Sequence, residues 1–451
     1  MASPDSSSSV TTWLACGRGC PGQLNPFEVR YRCPACGGLL EVQHDVQALA
    51  GTSAVEWRQR FDARGPTRTG WDASGIWGKR EWVLPGARRD EVVTLGEGFS
   101  ALTFAPRLAR ELGIGELWVK QCGVAHTGSF KDLGMAVLVT QVMRMRARGV
   151  PLRAVVCAST GDTSAALAAY AAAAGLPACI LLPRSKVTTA QLVQPLAHGA
   201  LVLALDTDFD GCMRIVQEIA DDPTLYLANS MNPWRLEGQK TVAIEIVQQL
   251  GWEAPDWIAL PGGNLGNTAA VGMGLELVER LTDLPRHTKL LVGQVERANP
   301  LYVSSLKNFE ELTPMQAGET AATAIRIGAP VSFERAVKAL KRCGGMVTQA
   351  SENELADAAA LADLHGQYLC PQTAAALAGI RQAVAQGRMT AKDRVVLVST
   401  AHGLKFTEFK VRYHEGTLPD VDSRRRNEPV PLSPQVDAVR RAISARFEVV
   451  S

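Results

Sequence analysis

Residues 154–183 read AVVCASTGDTSAALAAYAAAAGLPACILLP, and this stretch decides the fold. It begins with an apolar run of strand length (154–157), passes through a hydroxyl-rich turn into an alanine-rich helical pattern (164–174), and ends on a second apolar run (178–182). A strand, a helix and a strand in this order form a unit whose two strands run parallel. The stretch therefore predicts an α/β fold built on a mostly parallel sheet.

The same alternation extends in both directions along the chain. Further strand candidates lie at 117–120, 201–205, 257–260, 289–295 and 395–398. Further helix candidates lie at 133–147, 210–220, 238–250, 353–364 and 435–446. Residues 51–90 are rich in tryptophan and are expected to form an extension packed on the main body. With 451 residues, the chain is too long for one compact core and is expected to form two or three domains.

Composition argues against several classes of function. The chain carries 47 basic and 45 acidic residues, a net charge of +2, which argues against a nucleic-acid partner and a polybasic membrane anchor. The longest apolar stretch, 165–183, is interrupted by Gly175 and Pro177, so we expect no membrane span. The first twelve residues lack the features of a secretory signal and leave no room for a plastid transit peptide, so we expect a cytoplasmic location.

Four of the ten cysteines lie close together with the spacing C-x3-C-x12-C-x2-C: Cys16, Cys20, Cys33 and Cys36. Two close pairs joined by a short hairpin can place four thiolates around one zinc ion, which would stabilise the segment without taking part in catalysis. Free thiols and a disulfide are the alternatives to this zinc ribbon, because the first pair is loosely spaced. The other six cysteines are scattered singly and are expected to be buried thiols.

Three segments lie where a predicted strand gives way to a helix, the edge at which α/β sheets bind ligands. In HTGSFKD (126–132), Lys131 is either a solvated charge or an amine desolvated enough to form a Schiff base. In ASTGDTS (158–164), four hydroxyls surround one glycine at a helix N-terminus. This pattern favours a cradle for a carboxylate or phosphate over a simple helix cap.

The third segment, PGGNLGN (261–267), follows the predicted strand 257–260. Its glycines let successive backbone amides face one phosphate group. The spacing is neither that of a dinucleotide-binding turn nor that of a Walker loop, so a phosphate monoester is the better ligand. A Schiff-base lysine, an anion cradle and a phosphate cup together indicate a pyridoxal 5'-phosphate enzyme that acts on an amino acid.

Five motifs resemble, in this order, those of the threonine synthases: HTGSFKD, ASTGDTSAALAAY, ANSMNPWRLEGQKT (228–241), PGGNLGN and STAHGLKF (399–406). The resemblance runs from about residue 31 to residue 413 and is strongest to the plant-type branch, from which this chain departs in keeping Cys33 and Cys36. It implies fold type II, with two open, twisted, mostly parallel sheets flanked by helices. It also implies an N-terminal extension (1–90), a large domain (91–130 and 235–415), a small domain (131–234) and a C-terminal tail (416–451).

The resemblance implies roles for individual residues. Lys131 matches the lysine that bonds the cofactor and then shuttles protons, and Thr400 matches the hydroxyl that faces the pyridine nitrogen. The loop that holds the cofactor phosphate would comprise Gly263, Asn264, Leu265, Gly266 and Asn267. Ser159, Thr160 and Thr163 would hold the substrate carboxylate, and Asp162, where many relatives have asparagine, would contact the cofactor's phenolic oxygen. The candidates for the substrate phosphate are Asn232, Arg235 and Lys240, with Lys186 a weaker one.

The implied reaction converts O-phospho-L-homoserine and water into L-threonine and phosphate by γ-elimination and β-addition, the last step of threonine biosynthesis, in a homodimer. Two enzymes of the same fold remain as alternatives. One is a cysteate synthase that uses phosphoserine and sulfite. The other is a serine/threonine dehydratase, which needs no second anion-binding position for a substrate phosphate. A non-catalytic regulator that binds pyridoxal phosphate is the alternative from another class. The plant-type resemblance also implies activation by S-adenosylmethionine at the dimer interface, through residues 72–77 and 95–102.

Overall fold

The computed structural model describes residues 11–65, 69–184, 189–285 and 287–447, without the side chains of 189–191. Its strands are β1 Thr12–Cys16, β2 Leu40–His44, β3 Leu102–Phe104, β4 Glu116–Gln121, β5 Ala154–Ala158, β6 Ala178–Pro183, β7 Leu201–Leu205, β8 Leu225–Leu227, β9 Trp257–Pro261, β10 Lys289–Val295, β11 Met346–Ala350 and β12 Arg394–Ser399. Its helices are α1 Val46–Ala50, α2 Ala54–Asp62, α3 Arg80–Val83, α4 Pro106–Leu112, α5 Lys131–Ala147, α6 Asp162–Ala173, α7 Thr189–Ala197, α8 Phe209–Ile219, α9 Trp234–Gln239, α10 Thr241–Gln249, α11 Gly266–Leu281, α12 Pro300–Ser305, α13 Phe333–Cys343, α14 Glu352–Leu364, α15 Pro371–Ala385, α16 Thr407–Glu415 and α17 Val436–Phe447.

The larger sheet has the strand order β11-β10-β9-β12-β4-β3 and is parallel except at β3. Every residue of β9 is buried, as expected for a central parallel strand covered by helices on both faces. Because β4, β12 and β9 are neighbours and run parallel, their carboxyl ends lie at one edge of the sheet. The predicted α/β architecture is confirmed, and this edge is where the loops of the site begin.

The smaller sheet has the order β7-β6-β5-β8 and is parallel throughout. Its strands β5 and β6, with α6 between them, form the unit predicted from residues 154–183. Helix α5 carries the chain from the larger sheet to the smaller one and is buried without interruption from Asp132 to Val142. A helix buried on all sides lies inside the body rather than on its surface. The domain boundaries themselves stay a prediction.

The residues before the larger sheet form an extension that packs on the body, as predicted. Strands β1 and β2 pair antiparallel. The side chains of Trp57, Phe61 and Trp82 form one buried cluster with Ile244 and Val247 of α10. At the opposite end of the chain, α17 confirms the predicted tail helix and buries none of its residues. Among the described helices, none combines the length and apolarity needed to cross a bilayer.

Candidate active site

The loops that follow β4 and β12 are joined by backbone hydrogen bonds. The Phe130 N–H donates to the Thr400 carbonyl oxygen at 2.9 Å, and the His402 N–H donates to the Gly128 carbonyl oxygen at 3.0 Å. Lys131 is the first residue of α5 and therefore lies at the carboxyl edge of the larger sheet. The structure thus brings Lys131 and Thr400, which are 269 positions apart in sequence, into adjacent loops.

Lys131 has a half-buried side chain without a hydrogen-bond or ion-pair partner among the described residues. Desolvation, and to a smaller extent the positive charge of Arg235, lower the pKa of its amine to about 7, against the opposing effect of the Asp162 carboxylate. An amine with a pKa of about 7 is about half neutral at pH 7, and its neutral form can act as a nucleophile and as a general base.

The hydroxyl-rich loop after β5 leads into α6, whose N-terminus is not capped by a side chain. The Ser159 hydroxyl accepts the Gly161 N–H at 3.2 Å, and the Thr163 hydroxyl accepts an N–H from Arg235 at 3.3 Å. Asp162 is the first helical residue, and its carboxylate lies 2.7 Å from the Lys405 ammonium. Thr160, like Ser159, is half-buried. Free amides at the helix N-terminus and hydroxyls beside them suit a carboxylate ligand.

Arg235 on α9 is buried, with 3% of its surface exposed. One guanidinium nitrogen donates to the Ala228 carbonyl oxygen at 3.1 Å and the other to Thr163, and no carboxylate forms an ion pair with it among the described residues. Burial lowers its pKa to about 10, which leaves the guanidinium charged at neutral pH. A buried charge without a counter-ion is costly unless a ligand supplies the opposite charge. Arg235 therefore marks an anion-binding position close to Lys131.

The glycine-rich loop after β9 turns through Leu265, which adopts a left-handed conformation with φ of 65°, into the N-terminus of α11. The Asn267 side chain donates to the Pro261 carbonyl oxygen at 2.7 Å, and the Ser332 N–H donates to the Asn264 carbonyl oxygen at 3.1 Å. A Cβ atom on Gly263 would lie 3.1 Å from the Ala324 carbonyl oxygen, so the loop is held tightly from behind. The Asn267 side-chain oxygen accepts the Thr268 N–H at 2.9 Å, which leaves the amides of Gly266 and Asn267 at the start of α11 for a phosphate.

Thr400 lies in the loop after β12 and is nearly buried, with 6% exposure. Its N–H donates to the Thr373 hydroxyl at 3.1 Å, and its hydroxyl lies 3.9 Å from the Cys370 sulfur. Thr373 and Cys370, at the start of α15, therefore hold Thr400 in place. No local sequence pattern pointed to these two residues, because they lie at the start of a separate helix.

Two of the predicted phosphate-binding residues do not join Arg235. Lys240 donates to the Glu237 carboxylate in the core, and that carboxylate also lies 2.7 Å from the His44 ring. The Asn232 amide is fully buried, donating to the Leu227 carbonyl oxygen and accepting the Trp234 N–H. Both side chains are bonded within the protein in the described structure, and their assignment to the substrate phosphate stays a prediction. Lys186, the weaker candidate, lies outside the described residues.

Two further residues of the site escaped the sequence reasoning. Lys405 lies within STAHGLKF and forms an ion pair with Asp162. The signal that could have identified it is a charged residue in a motif that directly follows a predicted strand. Ser332 follows the end of the glycine-rich loop by 65 positions and has no such signal. Its hydroxyl is buried without a hydrogen-bond partner among the described residues, and a Cβ atom on Gly266 would lie 3.9 Å from it.

The sulfur atoms of Cys16, Cys20, Cys33 and Cys36 all lie within 4.8 Å of one another in the described structure. The Cys16 and Cys36 sulfurs are 3.5 Å apart, too far for a disulfide bond. Zinc–sulfur bonds of about 2.3 Å in a tetrahedron separate the sulfurs by about 3.8 Å. A hydrogen bond from the Cys20 backbone lowers the pKa of the Cys16 thiol to about 6, which favours the thiolate form that metals bind.

Comparisons with known proteins agree with this geometry. A family model described as pyridoxal-phosphate dependent enzyme matches residues 93–401. The chain is 49% identical over 415 residues to threonine synthase 2, chloroplastic, of Arabidopsis thaliana, covering 91% of this chain and 80% of that protein. It is 37% identical to the threonine synthase of Methanocaldococcus jannaschii, covering 86% of this chain and 92% of that one. Among solved structures, the threonine synthase of Escherichia coli matches with a TM-score of 0.65 at 18% identity, over 97% of this chain and 100% of that chain.

Proposed function

The chain belongs to the pyridoxal-phosphate dependent enzymes and, among them, to the threonine synthases, and on this premise we propose that it converts O-phospho-L-homoserine and water into L-threonine and phosphate. The observation that carries the proposal is a buried cation close to a lysine amine that has no hydrogen-bond or ion-pair partner among the described residues. Lys131 supplies an amine with a pKa of about 7, and the neighbouring Arg235 supplies a guanidinium without a carboxylate partner in the described structure. A zwitterionic phosphate ester presents the groups that such a site would bind.

The described residues fit pyridoxal phosphate. The amides of Gly266 and Asn267 at the N-terminus of α11, and the Ser332 hydroxyl, which has no hydrogen-bond partner among the described residues, suit its phosphate group. The Thr400 hydroxyl, held by Thr373 and Cys370, would face its pyridine nitrogen, and Lys131 would bond its aldehyde. When bound, the cofactor supplies an aldehyde that bonds amines and a ring that accepts electron density from Cα.

The chain's own residues would then bind the substrate and move its protons. Thr163, Ser159 and Thr160 would hold the substrate carboxylate at the N-terminus of α6, and Arg235 would hold its phosphate. The neutral Lys131 amine would remove the proton from Cα and return a proton later in the reaction. Loss of a proton from Cβ would supply the electron pair that expels phosphate from Cγ, after which Cγ would gain a proton and water would add at Cβ. Arg235 would also stabilise the charge that develops on the departing phosphate.

The test is an assay of phosphate release with O-phospho-L-homoserine, compared with phosphoserine plus sulfite. Threonine and phosphate formed in equal amounts from phosphohomoserine would support the proposal, whereas turnover only with phosphoserine and sulfite would make the protein a cysteate synthase. The Lys131→Ala variant should lose both turnover and the visible absorbance band of the bound cofactor. Cofactor binding without turnover of either substrate would favour a regulatory protein instead.

We also propose a structural zinc ion held by the four N-terminal cysteines, for which the mutual distance of their sulfurs is the support. All four coordination positions would be filled by thiolates, so the ion would have no open position for catalysis. Metal analysis of the purified protein should find about one zinc per chain. A metal-free protein with four titratable thiols would reject this proposal.

Activation by S-adenosylmethionine is a further part of the proposal. A cavity of 230 Å³ is lined by residues of the predicted stretch 95–102, including Glu97, together with His126 from the loop of Lys131. The Glu97 carboxylate accepts the Tyr170 hydroxyl at 2.9 Å, and Tyr170 belongs to α6, the helix that begins at the substrate loop. An effector bound in this cavity would thus lie against the loop of Lys131 and, through Glu97 and Tyr170, against α6. A titration of activity with the effector tests this, and the predictions of a homodimer and a cytoplasmic location stay predictions.

A further inference from the structure

Lys405 bonds the two loops that border Lys131. Its ammonium group lies 2.7 Å from the Asp162 carboxylate and donates to the Thr127 carbonyl oxygen at 3.0 Å. Asp162 opens α6 beside the smaller sheet, whereas Thr127 lies four positions before Lys131 in the loop after β4. One charged group therefore joins elements that are brought together only by the fold.

Packing fixes the path of the Lys405 side chain. Gly128 has a φ of 82°, and a Cβ atom added to it would lie 2.9 Å from Lys405 Cδ. The aliphatic part of Lys405 therefore lies directly against the Gly128 backbone, which has no side chain to obstruct it. The Lys405 and Asp162 side chains are 24% and 12% exposed, so water screens this ion pair less than it screens a pair on the surface.

The charge of Asp162 makes this contact important for an anionic substrate. Asp162 lies in the same loop as Thr163, which bonds Arg235, so its carboxylate is close to the proposed position of a carboxylate and a phosphate ester. An unpaired carboxylate there would repel the substrate, since like charges in a poorly screened site disfavour binding. Lys405 is the cation that pairs with it in the described structure.

We propose that Lys405 is a positioning residue that neutralises Asp162 and holds the N-terminus of α6 against the loop of Lys131. The proposal rests on the proposed function in one respect, because a phosphorylated amino-acid substrate is the ligand whose binding it favours. Lys405 acts through Asp162 and touches neither the substrate nor the reacting atoms.

The experiment compares the wild-type enzyme with Lys405→Met, Asp162→Asn and the variant that carries both changes. With O-phospho-L-homoserine as substrate, Lys405→Met should raise KM at least tenfold, because an unpaired carboxylate then faces the substrate. In the Asp162→Asn background the same change should raise KM less than threefold, since no charge is left to neutralise. An equal KM ratio in both backgrounds, or no change in KM for Lys405→Met, would overturn the proposal.

Lys410→Met is the matched control. Lys410 lies five positions further along the chain and also forms a partly buried ion pair, with Asp363. This variant should lower the unfolding temperature while KM stays within twofold of the wild-type value. A tenfold rise in KM for Lys410→Met would mean that loss of any ion pair in this region disturbs the site, and the specific role of Lys405 would be rejected.

Cofactor affinity gives a readout that does not depend on the substrate. Pyridoxal phosphate is added to the cofactor-free forms of the four proteins, and its binding is followed by visible absorbance. Lys405→Met should weaken cofactor binding at least threefold in the Asp162 background and not in the Asp162→Asn background. If the wild-type protein binds the cofactor but does not turn over phosphohomoserine, the proposed function fails while this measurement still decides the role of Lys405.

Discussion

Glu237→Gln will decide whether Lys240 belongs to the core or to the substrate site. The Glu237 carboxylate bonds the Lys240 ammonium and lies 2.7 Å from His44, and the three side chains are 0%, 2% and 4% exposed in that order. The substitution leaves the Lys240 ammonium in the core without a counter-ion. His44 belongs to β2, so the same change also weakens the attachment of the extension to α9.

The size of the effect follows from the burial of the pair. Removing one partner of a buried ion pair costs about 3–5 kcal/mol. With an unfolding entropy of about 2.1 cal/mol/K per residue, a loss of 1 kcal/mol lowers Tm by about 1 °C in a chain of 451 residues. We therefore expect Glu237→Gln to lower Tm by about 3–5 °C. Adding Lys240→Met should restore most of this loss, because both charges are then removed.

The assay is calorimetric unfolding together with KM for O-phospho-L-homoserine. Glu276→Gln is the control, since Glu276 and Arg280 form an exposed ion pair that contributes about 0.5 kcal/mol or less. The variant with both Glu237→Gln and Lys240→Met should keep KM within twofold of wild type. A Tm change below 1 °C for Glu237→Gln, or a tenfold rise in KM for the double variant, would refute the reasoning and return Lys240 to the substrate site.

Three further predictions concern the amine, the turn before it and the cysteines. In the cofactor-free protein, acylation of Lys131 should rise with pH around a midpoint near 7, because the neutral amine reacts and burial lowers its pKa to about 7; a midpoint above 9, determined by peptide mass spectrometry, would contradict this. Gly128→Ala should lower kcat/KM at least tenfold, since alanine at a φ of 82° is strained and its Cβ would meet Lys405; full activity in a steady-state assay would show that the turn tolerates a side chain. Cys33→Ser should abolish zinc binding in a metal analysis and lower Tm by several degrees, while the same change at the distant Cys343 should leave the zinc content unaltered.

Much of the fold could be predicted from the alternation of apolar runs and helical patterns. The predicted strands 201–205 and 289–295 match β7 and β10 at both ends. Three-residue β3 and β8 escaped because they are too short to show a period, and β11, with sequence MVTQA, because polar side chains interrupt it. The predicted helix 238–250 corresponds to two helices that meet at Lys240.

The site was less predictable because its residues come from separate elements. The motif 228–241 contains both Arg235 and Lys240, but Lys240 directly follows α9. Five positions at about 100° per residue separate the two side chains by about 140° around the helix axis. The partner of Asp162 was equally hidden, because Lys405 lies 243 positions later in the sequence. The local sequence pattern predicts which loops follow the strands. It does not predict which charged side chains of these loops form ion pairs, because those pairs depend on tertiary contacts.

The position of the cysteine-bearing hairpin has a consequence for synthesis of the chain. Arg18 bonds Glu334, 316 positions later, and the Tyr31 hydroxyl accepts the Leu227 N–H, 196 positions later. At about 5–20 residues per second, a ribosome needs about 15–60 s to deliver Glu334 after Arg18. The segment made first is thus among the last to dock. A zinc ion captured by the nascent hairpin would hold its four thiols together, and protect them from oxidation, until the surface that receives them exists.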